Sequence, residues 1–265
     1  MATFNCIVQG GFGGAIVLVM QKKQGRVVSF NLPVGRRIGQ PYEVVQFLGS
    51  GSQGEVYKIL ETGTGIHRAA KVYFPHANPN HRETLWYARK LNKLRNCPIV
   101  LQYHHTQMIR IGQEEVLCLI SEFCDGVLVE EWALSQRGKR AAPYLALHFL
   151  YHLARGLEAV HAVGEYHADI HSHNLLIRPR GIGFQLKLFD FYNWGRRAKY
   201  KQGQDIVDAI KVFHECLGGA KHYPKLPAEI RYICCGLKRS LILKRFPSIS
   251  ALRLHLETFD WQSLH

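Results

Sequence analysis

A glycine-rich segment places the strongest limit on the fold. Gly49, Gly51 and Gly54 have the spacing G-x-G-x-x-G, and residues 56–60 after them form an apolar, strand-like run. A dinucleotide-binding motif of this spacing requires a helix directly after the glycines, so that fold is excluded. Two interpretations remain. One is a plain β-hairpin, and the other is a hairpin whose backbone N–H groups approach phosphates, because glycine has no Cβ in the way.

The order of predicted elements is strands first and helices later. Apolar residues at three-residue spacing predict one helix around 85–94, and a long apolar stripe after Pro143 predicts another over 145–160. The expected strands are 4–9, 15–20, 26–32, 42–48, 55–60, 68–74 and 116–123. This order favours an α+β fold with a small β-rich part followed by a larger helical part.

Composition excludes several classes of protein. With 265 residues, 47% hydrophobic and 20% charged, the chain is not a disordered one. Seven cysteines without a C-x-x-C pair indicate a reducing compartment. The apolar run at 15–20 is too short for a signal peptide or a membrane span. We therefore expect a cytoplasmic protein without membrane association, and the net charge of +14 indicates an anionic partner.

Three further segments carry polar groups next to apolar runs. Lys71 lies in a predicted strand, Asp169 and Asn174 lie between a long helix and an apolar stretch, and Asp190 ends another apolar stretch. A lysine in an apolar strand points at an anion or extends to water. Because unpaired carboxylates are costly in such places, and Mg²⁺ prefers oxygen ligands, the two carboxylates and the amide predict a magnesium site.

These four signals, in this order, resemble the protein kinase family, from about residue 42 to about residue 259. Residues 118–126 are similar to the hinge between the kinase lobes, and 204–209 are similar to a buried helix whose Asp ties down the catalytic loop. The resemblance implies a bilobal fold with a shortened activation segment. The implied division is an N-terminal β extension (1–40), an N-lobe (41–124) and a C-lobe (125–265).

The resemblance also implies ATP and Mg²⁺ as cofactors and a role for each matching residue. Asp169 would accept the proton of the substrate hydroxyl, and Asn174 and Asp190 would bind Mg²⁺. The remaining residues would bind ATP: the loop of Gly49, Ser50, Gly51, Ser52, Gln53 and Gly54 and also Lys71 at the phosphates, Val56, Ala69 and Leu176 around the adenine, and the backbone of Glu122, Phe123 and Cys124 at its edge.

The sequence departs from the family at the glutamate that pairs with the strand lysine. Alignment of the helix end puts Tyr87 in that position, and Glu83 lies one turn earlier on the same helix face. We expect Glu83 to pair with Lys71 through a shifted or tilted helix. The alternative is that Glu83 is a solvated surface carboxylate.

Other departures concern the catalytic loop and the segment after it. Ala168 replaces the arginine that reads a phosphorylated loop, and only 14 residues (191–204) separate Asp190 from Asp205, without an A-P-E motif. His171 stands where Ser/Thr kinases carry lysine. The resulting pattern H-x-D-x-H-x-x-N resembles that of small-molecule phosphotransferases of the same fold. Tyr192 replaces a glycine, which makes flipping of this loop less favourable. We expect His167 to bond the backbone near Asp190 and His171 to meet the transferred phosphate, rather than a transition-metal site at these residues.

The residues after Asp190 include Arg196, Arg197, Lys199 and Lys201, with no acid among them. They form either a solvated face or an anion-recognition strip that selects acidic or phosphorylated substrates. No basic motif with interleaved aromatic residues is present, so nucleic acid is not an expected partner.

Three functions follow from the resemblance. The leading hypothesis is a Ser/Thr protein kinase, because Lys71, Asp169, Asn174 and Asp190 are all present. The second is a small-molecule kinase of the same fold acting on a small hydroxyl substrate, which His171 and the short segment favour. The third is an ATP-binding pseudokinase or scaffold, which the uncertain glutamate and Tyr192 favour.

Overall fold

The computed structural model describes residues 27–191 and 198–259, and the side chains of 198 and 199 are not part of that description. The chain forms a six-stranded antiparallel sheet with one helix, followed by a larger helical part. This is the expected bilobal α+β fold. The predicted strands at 4–9 and 15–20 lie outside the described residues.

The sheet has the strand order β1-β2-β3-β4-β6-β5. Its elements in chain order are β1 (Arg37–Ile38), β2 (Tyr42–Ser50), β3 (Gly54–Glu61), β4 (Ile66–Tyr73), α1 (Arg82–Lys93), β5 (Tyr103–Ile111) and β6 (Glu114–Glu122). The predictions for β2, β3, β4, α1 and β6 agree with the structure to within a few residues. β5 was not predicted, because its sequence is mostly polar and only its central Ile109 is buried.

The helical part contains a small second sheet, β7-β8-β9. Its elements are β7 (Val127–Leu128), α2 (Val129–Ser135), α3 (Pro143–Ala162), β8 (Leu175–Arg180), β9 (Gly183–Leu188), α4 (Ala198–Cys216), α5 (Gly219–His222), α6 (Ala228–Cys234), α7 (Arg239–Arg245) and α8 (Ile249–Glu257). The predicted stripe on α3 is buried at Phe149, Leu153, Leu157 and Val160, where the helix packs against α4 and α8. Among the described helices, none is long and apolar enough to cross a membrane.

One face of the large sheet packs into an apolar core, and the other face lines the cleft between the lobes. Tyr57 of β3 pairs with Ala70 of β4, and both are fully buried in an apolar cluster with Leu32 and Ile38. Neighbouring residues of a strand point to opposite faces, so Val56 and Lys71 face the other side. This second face lines the cleft between the two lobes, because the Lys71 side chain reaches a residue of the helical part.

The prediction of a strand over 26–32 was wrong for its described residues, since 27–32 form no strand. The backbone N–H groups of Phe30 and Asn31 donate to the Glu55 carboxylate, and that of Leu32 donates to the Tyr57 hydroxyl. Asn31 also has a φ of +49°, which extended backbone does not allow. The segment is therefore fixed to the sheet through side chains of β3.

Glu55 is the centre of this attachment and is 2% exposed. Its carboxylate accepts hydrogen bonds from Ser29 Oγ (2.7 Å), Phe30 N (3.1 Å), Asn31 N (3.2 Å) and the Tyr57 hydroxyl. Burial alone would raise the pKa of Glu55, but these hydrogen bonds outweigh it and hold the pKa below its ordinary value. A carboxyl group with a lowered pKa stabilises the fold above its unfolded-state pKa, and this stabilisation is lost as the pH falls.

Replacing Glu55 by Gln should lower the free energy of unfolding by about 1–3 kcal/mol at pH 7, because buried donors lose a charged acceptor. The difference from the native chain should narrow as the pH falls below the ordinary glutamate value of 4.5. Urea denaturation over a pH series measures both effects. Glu43→Gln on β2 is the control, since the Glu43 side chain has no hydrogen bond within the described residues. A difference that stays constant with pH would contradict the role of the Glu55 charge.

Gly54 should not tolerate alanine. A Cβ there would lie 2.1 Å from the Val72 carbonyl oxygen, whereas a Cβ at Gly51 would meet nothing within 4 Å. Gly54→Ala should therefore lower the free energy of unfolding by about 1–3 kcal/mol through overpacking, and Gly51→Ala should change it little. Equal midpoints of urea denaturation for the two variants would contradict this close approach of β3 and β4.

Candidate active site

Lys71 and Asp190 meet across the cleft between the two lobes. Lys71 Nζ lies 2.6 Å from Asp190 Oδ1 and 3.1 Å from Gln53 Oε1. The Lys71 side chain is 14% exposed and that of Asp190 is 37% exposed, so the pair is shielded on the lysine side and open to solvent on the other. A lysine in an apolar strand was expected to point at an anion. That anion is Asp190, the same carboxylate that was predicted to bind magnesium.

Two aromatic rings surround the lysine. Lys71 Nζ lies 5.3 Å from the ring centre of Tyr73 and 5.7 Å from that of Tyr87. The Tyr87 hydroxyl accepts a hydrogen bond from the backbone N–H of Asp190 at 3.0 Å. Tyr87 thus contacts both members of the ion pair.

The expected Lys71–Glu83 ion pair is not formed. Both side chains line one pocket, but no ion pair within 4.0 Å joins these two described residues. The reason lies in the position along α1: Glu83 is the second residue of the helix and is half-buried, whereas Tyr87, one turn later, is buried and faces the lysine.

The catalytic loop between α3 and β8 is held by Asp205 of α4, as the resemblance implied. Asp205 is fully buried, and its carboxylate accepts the N–H groups of His167 (2.9 Å) and Ala168 (2.5 Å) and contacts His161 Nε2 (2.9 Å). Ala168 has a φ of +65°, a conformation that residues other than glycine rarely adopt. The buried carboxylate stabilises this turn just before Asp169.

His167 bonds the backbone next to Asp190, as expected. Its Nε2 lies 2.7 Å from the Phe189 carbonyl oxygen, and its Nδ1 accepts the Asp169 N–H at 3.2 Å. Burial lowers the pKa of His167, so the imidazole is neutral at pH 7, with its proton on Nε2. A neutral ring with this tautomer satisfies both contacts and links the Asp169 loop to the Asp190 segment.

Asn174 and Asp190 offer the oxygen donors that a divalent cation requires. Asn174 Nδ2 donates to the Asp169 carbonyl oxygen at 3.1 Å, which orients the amide. Within the described residues, Asn174 Oδ1 and Asp190 Oδ2 have no hydrogen-bond partner. Carboxylate and amide oxygens beside phosphates suit Mg²⁺, so the residues present fit the implied ion.

The other two histidines of the loop lie near acidic groups. His171 Nε2 is 3.8 Å from Asp169 Oδ2, and His173 Nε2 is 2.7 Å from Glu130 Oε2. The described residues hold no group of three or more His, Cys, Asp or Glu side chains placed to bind one metal ion. His171 is thus placed beside the proposed base, and the role predicted for it at the phosphate stays a prediction.

The predicted adenine-binding residues occupy both sides of the cleft. Val56 and Ala69 share the cleft face of the large sheet, Leu176 lies on β8, and all three are half-buried. In the hinge, the Glu122 N–H already donates to the Gln102 carbonyl oxygen at 2.9 Å. The Glu122 N–H is therefore already used, while its carbonyl oxygen accepts the Ser121 hydroxyl at 3.4 Å and keeps a second lone pair for a ligand.

Three lysine–glutamate ion pairs, on two glutamates, were not predicted from the sequence. Lys187 of β9 is buried and binds the Glu122 carboxylate of the hinge. Lys90 and Lys93 of α1 both bind the Glu165 carboxylate, two residues before His167. Lys187 lies between two leucines, just as Lys71 lies in an apolar strand, so the sequence could have indicated that it has an anionic partner. No feature of the neighbouring sequence distinguishes Glu165 from a solvated glutamate.

Tyr192 and three residues of the predicted basic strip, Arg196, Arg197 and Lys199, lie outside the described side chains. Lys201 lies in the first turn of α4 and is half-buried. The hypothesis of an anion-recognition strip stays a prediction.

Asp205→Asn should lower the free energy of unfolding by about 2–4 kcal/mol, because an amide cannot accept from three donors in place of a carboxylate. Asp208→Asn, on the same helix, is the matched control. Burial raises the pKa of Asp208, and its partners are Gln204 and Lys211, so losing its charge should change stability by no more than about 1 kcal/mol. Equal losses measured by urea denaturation would contradict the anchoring role of Asp205.

Comparison with known proteins agrees with this geometry. A model of the protein kinase domain matches residues 42–212. The chain is 29% identical over 153 residues to a putative cyclin-dependent kinase F-2 of Oryza sativa subsp. japonica, covering 57% of this chain and 46% of that protein. It is 28% identical over 163 residues to the mouse dual specificity testis-specific protein kinase 1, covering 61% and 24%. The chain thus spans less than half the length of either relative.

The fold is also similar to a solved structure, the kinase domain of Mycobacterium tuberculosis PknI. The TM-score is 0.63 at 17% identity, over 85% of this chain and 98% of that domain, so this likeness concerns the fold. The matched segment of the family model contains Lys71, Asp169, Asn174, Asp190 and Asp205 and covers more than half of the sequence. The chain belongs to the protein kinase family.

Proposed function

We propose that the chain is an ATP-dependent Ser/Thr protein kinase that transfers the γ-phosphoryl group to a protein hydroxyl. The observation that carries this is the arrangement of Lys71, Asp169, Asn174 and Asp190 around one cleft: Lys71 and Asp190 are in contact, and Asn174 is bonded to the Asp169 backbone. Phosphoryl transfer depends chiefly on positioning and on stabilising negative charge, and this set supplies both.

Each residue has a definite task in the proposed reaction. Lys71 binds phosphate oxygens of ATP, and Asp169 accepts the proton of the acceptor hydroxyl. The acceptor oxygen then bonds to the γ-phosphorus while the bond from that phosphorus to the β–γ bridging oxygen breaks, which leaves ADP. Asn174 and Asp190 would hold Mg²⁺, which would supply positive charge to the phosphate oxygens.

The remaining parts of the proposed nucleotide site are those that the resemblance to protein kinases implies. The loop of residues 49–54 covers the phosphates, and its last glycine is fixed by the close approach to Val72. Val56, Ala69 and Leu176 enclose the adenine, whose edge bonds the hinge through the Glu122 carbonyl and the Cys124 backbone. The expected acceptor is an acidic or phosphorylated protein, since Arg196, Arg197, Lys199 and Lys201 follow Asp190 in the sequence with no acid among them.

A cytoplasmic location fits the state of the cysteines. Cys97, Cys118, Cys216, Cys234 and Cys235 are free thiols and buried. Burial raises the pKa of each of them, which keeps the thiols protonated and unreactive. Buried, unpaired cysteines suit a reducing compartment.

A small-molecule kinase is the second candidate. It is favoured by His171, which lies 3.8 Å from Asp169 and is 44% exposed. It is favoured also by the 14-residue segment 191–204, which leaves little chain to seat a peptide.

Asp169→Asn should reduce phosphoryl transfer from radiolabelled ATP by roughly 10²–10⁴-fold, because the general base is lost. The affinity for ATP should stay within about 2-fold, since the Asp169 carboxylate is not placed on the nucleotide. Phosphoamino acid analysis of a generic protein acceptor tests for phosphoserine and phosphothreonine. Transfer only to small hydroxyl compounds would favour the second candidate, and undiminished transfer by the variant would contradict the role of Asp169.

A further inference from the structure

Asp190 is held in an unfavourable backbone conformation. Its φ is +58°, in the left-handed region that residues other than glycine rarely adopt. Such a conformation persists only where the surroundings support it. The support includes the Tyr87 hydroxyl of α1, which accepts the Asp190 N–H at 3.0 Å.

The same tyrosine also holds the partner of Asp190. Lys71 Nζ lies 5.7 Å from the Tyr87 ring centre, on the edge of the distance range for cation–π attraction. Lys71 in turn binds Asp190 Oδ1 at 2.6 Å. One buried side chain on α1 therefore contacts the backbone of the proposed metal ligand and the cation beside it.

We propose that Tyr87 is the positioning residue that sets Asp190 for metal binding, in the place where protein kinases generally use a glutamate paired with the strand lysine. This inference rests on the proposed function. In most kinases this helix would contact Lys71 through a glutamate, here expected to be Glu83. In this chain the helix contacts Asp190 instead, through Tyr87.

The chemistry of a phenol differs from that of a carboxylate at this position. A phenol hydroxyl is neutral at pH 7, whereas a glutamate carboxylate carries a charge. A glutamate would share the Lys71 charge with Asp190, whereas Tyr87 leaves that charge to Asp190 and to phosphates. A neutral hydroxyl can also accept the Asp190 N–H and keep its own proton to donate.

Glu83 does not take over this task. It is half-buried in the first turn of α1, and it forms no hydrogen bond or ion pair with another described residue. Its position on the pocket wall leaves it within the same cavity as Lys71, so its contribution has to be measured separately.

The test compares Tyr87→Phe with two matched variants, and its first readout is independent of turnover. Hydrogen exchange of the Asp190 amide should become roughly 5–10-fold faster in Tyr87→Phe, the effect of one lost hydrogen bond. Tyr73→Phe removes a hydroxyl from the same pocket, and Tyr73 has no hydrogen bond to Asp190. That variant and Glu83→Gln should leave the exchange rate of Asp190 unchanged. Amides in the middle of α3 report whether each variant is folded.

The second readout is calorimetric binding of a non-hydrolysable ATP analogue with and without Mg²⁺. The ratio of the affinity with Mg²⁺ to the affinity without it should be roughly 5–10-fold smaller in Tyr87→Phe than in the native chain. The affinity without Mg²⁺ should stay within about 2-fold. A general packing defect would weaken both affinities equally and would overturn the proposal. A loss in Glu83→Gln but not in Tyr87→Phe would assign the task to Glu83 and overturn it as well.

These outcomes separate the inference from the proposed function. If Tyr87→Phe differs from the native protein in amide exchange and in Mg²⁺-dependent affinity, but the native protein transfers no phosphoryl group, the proposed function is refuted and the role of Tyr87 is supported. Transfer by the native protein, with no difference between Tyr87→Phe and Tyr73→Phe in either readout, would refute the role of Tyr87 alone. Native protein that binds no Mg²⁺–nucleotide would overturn both.

Discussion

One buried carboxylate, that of Asp205, determines the shape of the catalytic loop. Its two oxygens accept the consecutive backbone N–H groups of His167 and Ala168, although Asp205 lies in α4, more than 35 residues later in the sequence. Two successive N–H groups can point at one carboxylate only if the backbone turns sharply, and the positive φ of Ala168 is that turn. The direction in which Asp169 leaves the loop follows from it.

The Asp169 loop and the Asp190 segment are then fixed to each other by neutral contacts. His167 bonds the Phe189 carbonyl, and the Phe189 N–H donates to the Asn174 carbonyl at 3.2 Å. The end of β9 is tied to the small lobe in the same way, since the Leu188 N–H donates to the Ile99 carbonyl at 2.6 Å. These contacts link the two segments without using the carboxylates of Asp169 and Asp190.

The sequence predicted the parts of this arrangement that depend on pattern. The glycine spacing followed by a strand, the strand lysine and the apolar helix stripes each have a local signature, whereas the lobes and the roles of Asp169 and Asp190 came from the order of these signals, which resembles that of protein kinases. Asp205 was found because its position in the family motif is specific. These features are set by secondary structure and by short-range spacing.

Other features depend on which side chains meet in three dimensions. Nothing in the sequence distinguishes Glu55, which is buried under the N-terminal segment, from a solvated glutamate beside a glycine. Glu83 and Tyr87 lie on the same face of α1, one turn apart, and periodicity does not determine which of the two turns lies beside Lys71. The segment 27–32 has an apolar composition typical of a strand, yet its N–H groups bond side chains of β3 instead of a neighbouring strand.

The contact of α1 with Glu165 has a consequence for the balance between open and closed forms of the cleft. Lys90 is buried at the C-terminal end of the helix, and moving α1 outward would leave its charge and that of Glu165 without a partner. Outward movement would return both groups to water, so its cost is the net value of the ion pair and not that of a buried, unpaired charge. The pair therefore favours the inward position of α1 in the absence of nucleotide, and it reduces the share of the nucleotide binding energy that moving the helix would use.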